Sequence, residues 1–169
     1  MSRLTEFYKG TGKDSEGRTI SMIWAFRRDQ LETTHDYIQW LFPLRLASRF
    51  NPDAPLLTEA DVAAFHDDPA LRENLKRSFT RFLDFLDLRE DGGRVVKTEE
   101  FDRSGIFQGP NHNWLRITRV LTSTRILGLE SESRAFFEFL KRLWEEGESG
   151  ITTDTFRYWE DAATGDLSG

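Results

Sequence analysis

Between Leu71 and Leu86, apolar residues recur at positions 71, 75, 79, 82, 83 and 86 without interruption. That spacing keeps one apolar stripe over about four turns of a 3.6-residue helix and contradicts the two-residue period of a strand. Asp68 and Pro69 stand just ahead of it, an acidic cap and a ring whose fixed φ suits the first helical position. A helix with one apolar face needs a partner for that face, so the remaining segments must pack around it.

Those segments also read as helices. Leu4 to Lys9 forms an amphipathic turn or helix, followed by the Gly-punctuated loop from Gly10 to Gly17. Thr19 to Arg27 fits a helix better than a strand. Asp29 and Glu32 have capping-box spacing, and Leu31, His35, Ile38 and Phe42 lie on one helical stripe that Pro43 ends. Arg45 to Pro55 is a loop. Thr58 and Asp61 open a short helix through Phe65. The long helix closes at Asp91-Gly92-Gly93, and Arg94 to Lys97 is at most a minor extended segment. Thr98, Glu99 and Glu100 open a brief helix. Asn111 to Leu127 is a second long helix stopped by Gly128. Ser131 or Ser133 caps a third that buries Phe136, Phe137, Leu140, Leu143 and Trp144 and ends at Gly147. Thr153 to Ala163 gives the last helix, and the tail from Thr164 to Gly169 is expected to fray.

The expected fold is therefore an all-α, irregular single-domain bundle of about seven helices over residues 1–169. At 169 residues the length suits one domain with a sizeable core, and 14 Phe and 5 Trp supply the rings for it. The formal charge of −6 argues against a general nucleic-acid binder. The absence of cysteine removes disulfides, thiolate metal sites and cysteine nucleophiles. The longest apolar run, Met22 to Phe26, is far short of the ~20 residues of a transmembrane span. The start carries no apolar signal segment, so a cytoplasmic protein is expected.

Two blocks are more specific than generic helix sequence. One is His35-Asp36-Tyr37-Ile38-Gln39-Trp40-Leu41-Phe42-Pro43, the other Asn111-His112-Asn113-Trp114-Leu115-Arg116-Ile117-Thr118-Arg119. Both resemble signature blocks of the opioid growth factor receptor conserved region, and in the same order. The resemblance covers roughly residues 4–161. It implies a receptor-type, peptide-binding domain; vertebrate members are described as receptors for an enkephalin-type pentapeptide, associated with the nucleus and its envelope. Those members carry long acidic or repetitive tails and this chain shows none, nor a basic import cluster. It resembles a short stand-alone form of bacterial type whose ligand is open.

The residues of the blocks define the candidate ligand-binding set: His35, Asp36, Gln39, Trp40, His112, Asn113, Arg116 and Arg119. On the inward stripe, His35 reads as a buried neutral imidazole; a ligand-facing histidine and a metal ligand are the alternatives. Trp40 either packs on the Trp24 segment or presents an exposed anchor. At 100° per residue, His112, Arg116, Arg119 and Ser123 share one face. These arginines need carboxylate partners, with Asp36 and Glu32 as candidates, or else they hold an anionic ligand. Asn111 serves as a cap. The two blocks are expected to meet in one polar seam.

No Gly-rich phosphate loop, isolated carboxylate pair or nucleophile elbow occurs. No catalytic residue, cofactor or metal is expected, and enzyme activity has no positive support. The expected function is a helical module that binds a short peptide or protein partner rather than nucleic acid. The alternative is a small-anion binder or enzyme using His112 or His35 beside Arg116 and Arg119.

Overall fold

The computed structural model describes residues 1–48 and 51–165. The chain falls into two compact units, Met1–Arg81 and a second beginning at Phe82, each with its own core.

In the first unit, α1 (Arg3–Lys9) starts at Ser2, whose hydroxyl accepts from the Thr5 amide, and stops at Gly10 with φ 85°. It is followed by α2 (Ile20–Trp24), α3 (Arg28–Thr33), α4 (Ile38–Leu41) and α5 (Glu59–Asp67). Helix α6 (Pro69–Phe85) begins here, and the Ala70 amide donates to the Asp68 carboxylate at 2.9 Å, as the Asp-Pro signal predicts. The expected box at α5 is present: Thr58 and Asp61 exchange amide-to-side-chain bonds of 3.0 and 3.1 Å. Asp61 also accepts from the Ser2 hydroxyl at 2.5 Å, tying α5 to the start of α1.

Aromatic edges fill this core. Phe7 meets Trp40 at 5.2 Å, and Tyr8 meets Phe65 at 5.2 Å. The Tyr8 hydroxyl donates to the Leu41 carbonyl and lies 3.0 Å from Ser78 Oγ, which also accepts from Trp24 Nε1 at 3.0 Å. Burial pushes the Tyr8 phenol well above its ordinary pKa, and the Ser78 bond offsets a little of that rise.

The second unit takes Phe82, Leu83, Phe85 and Leu86 from the end of the long helical stripe, all buried. A hairpin follows, β1 (Leu88–Asp91) antiparallel to β2 (Arg94–Lys97), with Leu88 opposite Lys97 and Asp91 opposite Arg94. Gly92 and Gly93 have φ 58° and 79°, the left-handed pair that a tight two-residue hairpin turn requires. Then come α7 (His112–Ile126), α8 (Glu130–Glu146) and α9 (Thr153–Thr164). Helix α7 packs against both α8 and α9, and β2 lies on α8. Phe107, Ile117, Val120, Leu121, Phe136 and Leu140 are fully excluded from water.

Several expectations need correction. The protein is mostly helical but not purely all-α: among the described residues there are nine helices and a two-stranded sheet, against about seven helices expected. The long helix stops at Phe85, because Asp87 turns into the left-handed region at φ 62° and Leu88 begins a strand; Asp91-Gly92-Gly93 is a hairpin turn, not a helix end. The segment expected to run as one helix from Asp29 to Phe42 is two helices, with residues 34–37 between them. Tyr37 folds back there, donating to the Leu31 carbonyl at 2.6 Å. Residues 98–110 form turns rather than a brief helix at Thr98. The start of α8 is Leu129, without a side-chain cap, while Ser133 sits inside the helix and donates to the Leu121 carbonyl at 2.7 Å. Trp144 is half-buried, stacked on Phe156 at 4.1 Å. Part of the expected loop (residues 49–50) and of the expected frayed tail (residues 166–169) lies outside the described residues.

Candidate functional site

The first sequence block belongs to the first unit and the second block to the second unit. In the first, Trp40 and Gln39 point inward, 1% and 4% exposed. Trp40 packs edge-on against Phe7 and carries the Arg3 guanidinium over its ring at 5.4 Å, so it is not an exposed anchor. The Trp24 ring is instead covered by Arg77, at 4.1 Å.

His35 is exposed, contrary to the buried imidazole expected, because the break between α3 and α4 removes it from the helical stripe. Its carbonyl accepts from Gln39 Nε2 at 3.2 Å. Asp36 is held by Arg18 at 2.9 Å, not by an arginine of the second block. Arg18 also grips the buried Asp14, Nε to Oδ2, at 2.7 Å, and Asp14 takes the amides of Glu16 and Arg18 at 3.0 and 2.8 Å. Burial alone would lower the Arg18 guanidinium, but its bonds to Asp14 and Asp36 outweigh that and hold it above the ordinary arginine value. The network closes with Asn51 Nδ2, 3.4 Å from Gln39 Oε1. This is a loop clamp: it ties the segment before α2 to the segment before α4. Sequence reasoning missed Arg18 and Asp14, although four residues between opposite charges inside a Gly-punctuated loop is the signal that could have found them.

In the second block, Asn111 caps α7 as expected, its side chain accepting from the Asn113 amide at 2.9 Å. The block's turns place its side chains at three depths. Asn113 and Arg116 are buried, 2% and 5% exposed, and Arg116 Nη1 donates to Asn113 Oδ1 at 3.2 Å. Trp114 is also inside, donating to the Ile106 carbonyl at 2.7 Å and meeting Trp159 edge-on at 5.9 Å. Arg119 is half-buried, and loss of water around its guanidinium pulls its pKa down to about 10. His112 and Leu115 are outside.

Leu115 was not among the expected site residues. It is 61% exposed, while Trp114, Ile117, Val120 and Leu121 on the same helix are buried. Residues 112, 115 and 119 are spaced by three and four, so His112, Leu115 and Arg119 fall on one strip of α7. An exposed leucine breaking an otherwise amphipathic pattern was legible in the sequence as an apolar residue off the buried stripe. The strip combines an exposed aliphatic side chain, an exposed imidazole and a half-buried guanidinium. Among the described residues no group of His, Asp and Glu is arranged to hold a metal ion, and no helix is long and apolar enough to cross a membrane.

Comparison with known proteins places this geometry in context. The chain matches the opioid growth factor receptor conserved region over residues 6–164. It is similar to the opioid growth factor receptor of Mus musculus, 40% identical over 115 residues, which is 66% of this chain and 18% of that protein. The Homo sapiens protein of the same name is 41% identical over 117 residues, covering 66% of this chain and 17% of the relative. Opioid growth factor receptor-like protein 1 of Mus musculus is 32% identical over 124 residues, 69% of this chain and 26% of that protein. The chain thus spans about a quarter or less of the length of these relatives. No solved structure matches it.

Proposed function

Because the chain belongs to the family of the opioid growth factor receptor conserved region, we propose that it is a helical module that binds a short peptide on the outer strip of α7. The relatives' name makes an opioid growth factor peptide the first ligand to test. Leu115 is the apolar contact, Arg119 receives a ligand carboxylate, and His112 lines the N-terminal end of the strip. Of the residues the sequence singled out, Asn113 and Arg116 lie buried beneath this strip, their side chains bonded to each other. The single observation that carries the reading is the exposed Leu115 one turn before the half-buried guanidinium of Arg119. A carboxylate delivered there works in a poorly hydrated setting, where a charge-assisted bond is stronger than in bulk water.

The test is calorimetric titration of the full chain with an enkephalin-type pentapeptide carrying a free C-terminal carboxylate, and with its C-terminal amide. Saturable binding is expected, weakened about tenfold in the amide and abolished in Leu115→Asp. Because Leu115 is exposed, the variant's melting temperature stays within a degree or two of the parent's. An L115D chain that binds the peptide as well as the parent overturns the assignment, as does a parent that binds neither peptide.

A further inference from the structure

A second surface, on the other long helix of the second unit, has a different chemistry. A groove of about 300 Å³ between the hairpin turn and α8 is lined by Gly93, Arg94, Ser131, Arg134, Glu138 and Arg142. Three guanidiniums on one small groove stand out in a chain whose formal charge is −6. Arg142 is positioned by its bond to the Val95 carbonyl at 3.3 Å, which anchors it against β2. The Arg94 and Arg134 side chains make no hydrogen bond or ion pair among the described residues. One turn beyond Arg142 on α8, Glu146 pairs with Lys97 at 3.6 Å. Among the described residues, Glu138 is the one carboxylate lining the groove.

We propose that this groove docks an extended acidic peptide segment, with carboxylate side chains about four residues apart engaging Arg134 and Arg142. The spacing of charge decides the ligand class. Arg134 and Arg142 are eight residues apart, about 12 Å along the helix axis at 1.5 Å per residue. A single compact anion bridging both would sit midway and face the Glu138 carboxylate. An extended chain rises about 3.3 Å per residue, so side chains at i and i+4 point the same way and sit about 13 Å apart. They reach both guanidiniums and straddle Glu138, while Arg94 at the hairpin covers the ligand from the strand side. The groove therefore selects separated carboxylates over a dense dianion. This surface is independent of the α7 strip, so the two readings stand or fall separately.

The experiment uses the full chain and a fluorescent nine-residue peptide with glutamates at its third and seventh positions and neutral residues elsewhere, followed by anisotropy at low salt. Saturable binding is expected, weakened about tenfold or more in Arg134→Ala and in Arg94→Ala. Both positions are exposed, so neither variant is expected to melt earlier. Glu138→Gln is expected to bind several-fold tighter, a gain that a merely structural role would not produce. A peptide with its two glutamates adjacent is expected to bind at least about fivefold more weakly. Equal binding by parent and R134A overturns the proposal, as does unchanged or weaker binding by E138Q. A single-stranded RNA oligomer that binds more tightly than the peptide overturns the acidic-peptide assignment in favour of a polyphosphate.

Discussion

Tyr8 shows how much one buried hydroxyl can organise. Its donor satisfies the Leu41 carbonyl at the end of α4, and Ser78 beneath it also holds the Trp24 indole. Tyr8→Phe leaves that carbonyl without its donor and is expected to cost about 1–2 kcal/mol at neutral pH, measured by urea unfolding. The same group sets a pH dependence. Its folded pKa is raised by burial, so the folded chain keeps a proton that the unfolded chain releases above about pH 10. The stability tied to that proton is complete below the unfolded value and falls as pH rises beyond it. Arg119 works in the opposite sense. Its folded pKa of about 10 lies below the unfolded one, so the folded chain gives up this proton first and stability rises as pH climbs past 10. Urea midpoints at pH 8 and near pH 11 separate the two: the parent is expected to lose more stability over this interval than Y8F, whose Arg119 contribution remains.

At the scale of elements, backbone contact is as demanding as side-chain packing. Gly150, in the link between α8 and α9, donates its amide to the Phe107 carbonyl at 2.8 Å. A Cβ built there falls 1.8 Å from the Gln108 carbonyl oxygen, so main chain would have to move. Gly150→Ala is expected to destabilise by about 2 kcal/mol or more, read as a lowered melting temperature, whereas alanine at the half-exposed Gly109 meets no atom within 4 Å. Element boundaries also show what a sequence can reveal. Helix α6 was legible because its cap, its first-position proline and its apolar period all agree. The Thr58 cap, the Asn111 cap and the Gly147 stop were legible for the same reason: each has a local hydrogen bond or left-handed φ that its residue type favours. The break at residues 34–37 was not, since Leu31, His35, Ile38 and Phe42 fit an unbroken helix equally well. It is made by Tyr37, buried and bonded back to Leu31, a tertiary choice that periodicity cannot encode. Strand β1 was hidden because Leu88-Arg89-Glu90-Asp91 lacks β-branched residues and continues the preceding apolar spacing; the signal lay in Gly92-Gly93 read as a hairpin turn. On α7, helical spacing puts His112, Arg116 and Arg119 on one face, but burial divides its members. Arg116 went inside with Asn113, and Leu115 took the exposed place.

Over the whole chain, α6 carries buried residues on both sides of the division between Arg81 and Phe82. Leu71, Leu75 and Phe79 are buried in the first unit, and Phe82, Leu83 and Phe85 in the second. Thr80, exposed near the boundary, gives a direct test: Thr80→Pro removes the N–H that donates a helical hydrogen bond and sets a ring against the preceding turn's carbonyl. It is expected to cost about 3 kcal/mol or more in chemical unfolding, far beyond the effect of an ordinary surface substitution. Tryptophans are well placed to report such changes, with Trp24 and Trp40 in the first unit and Trp114, Trp144 and Trp159 in the second. Trp114 and Trp159 lie edge-to-face, and the Trp159 indole donates to the Trp114 carbonyl at 3.2 Å. Two indoles held rigidly at 5.9 Å couple their electronic transitions, so this pair gives the second unit its own optical fingerprint: a circular-dichroism couplet that vanishes when α7 and α9 part.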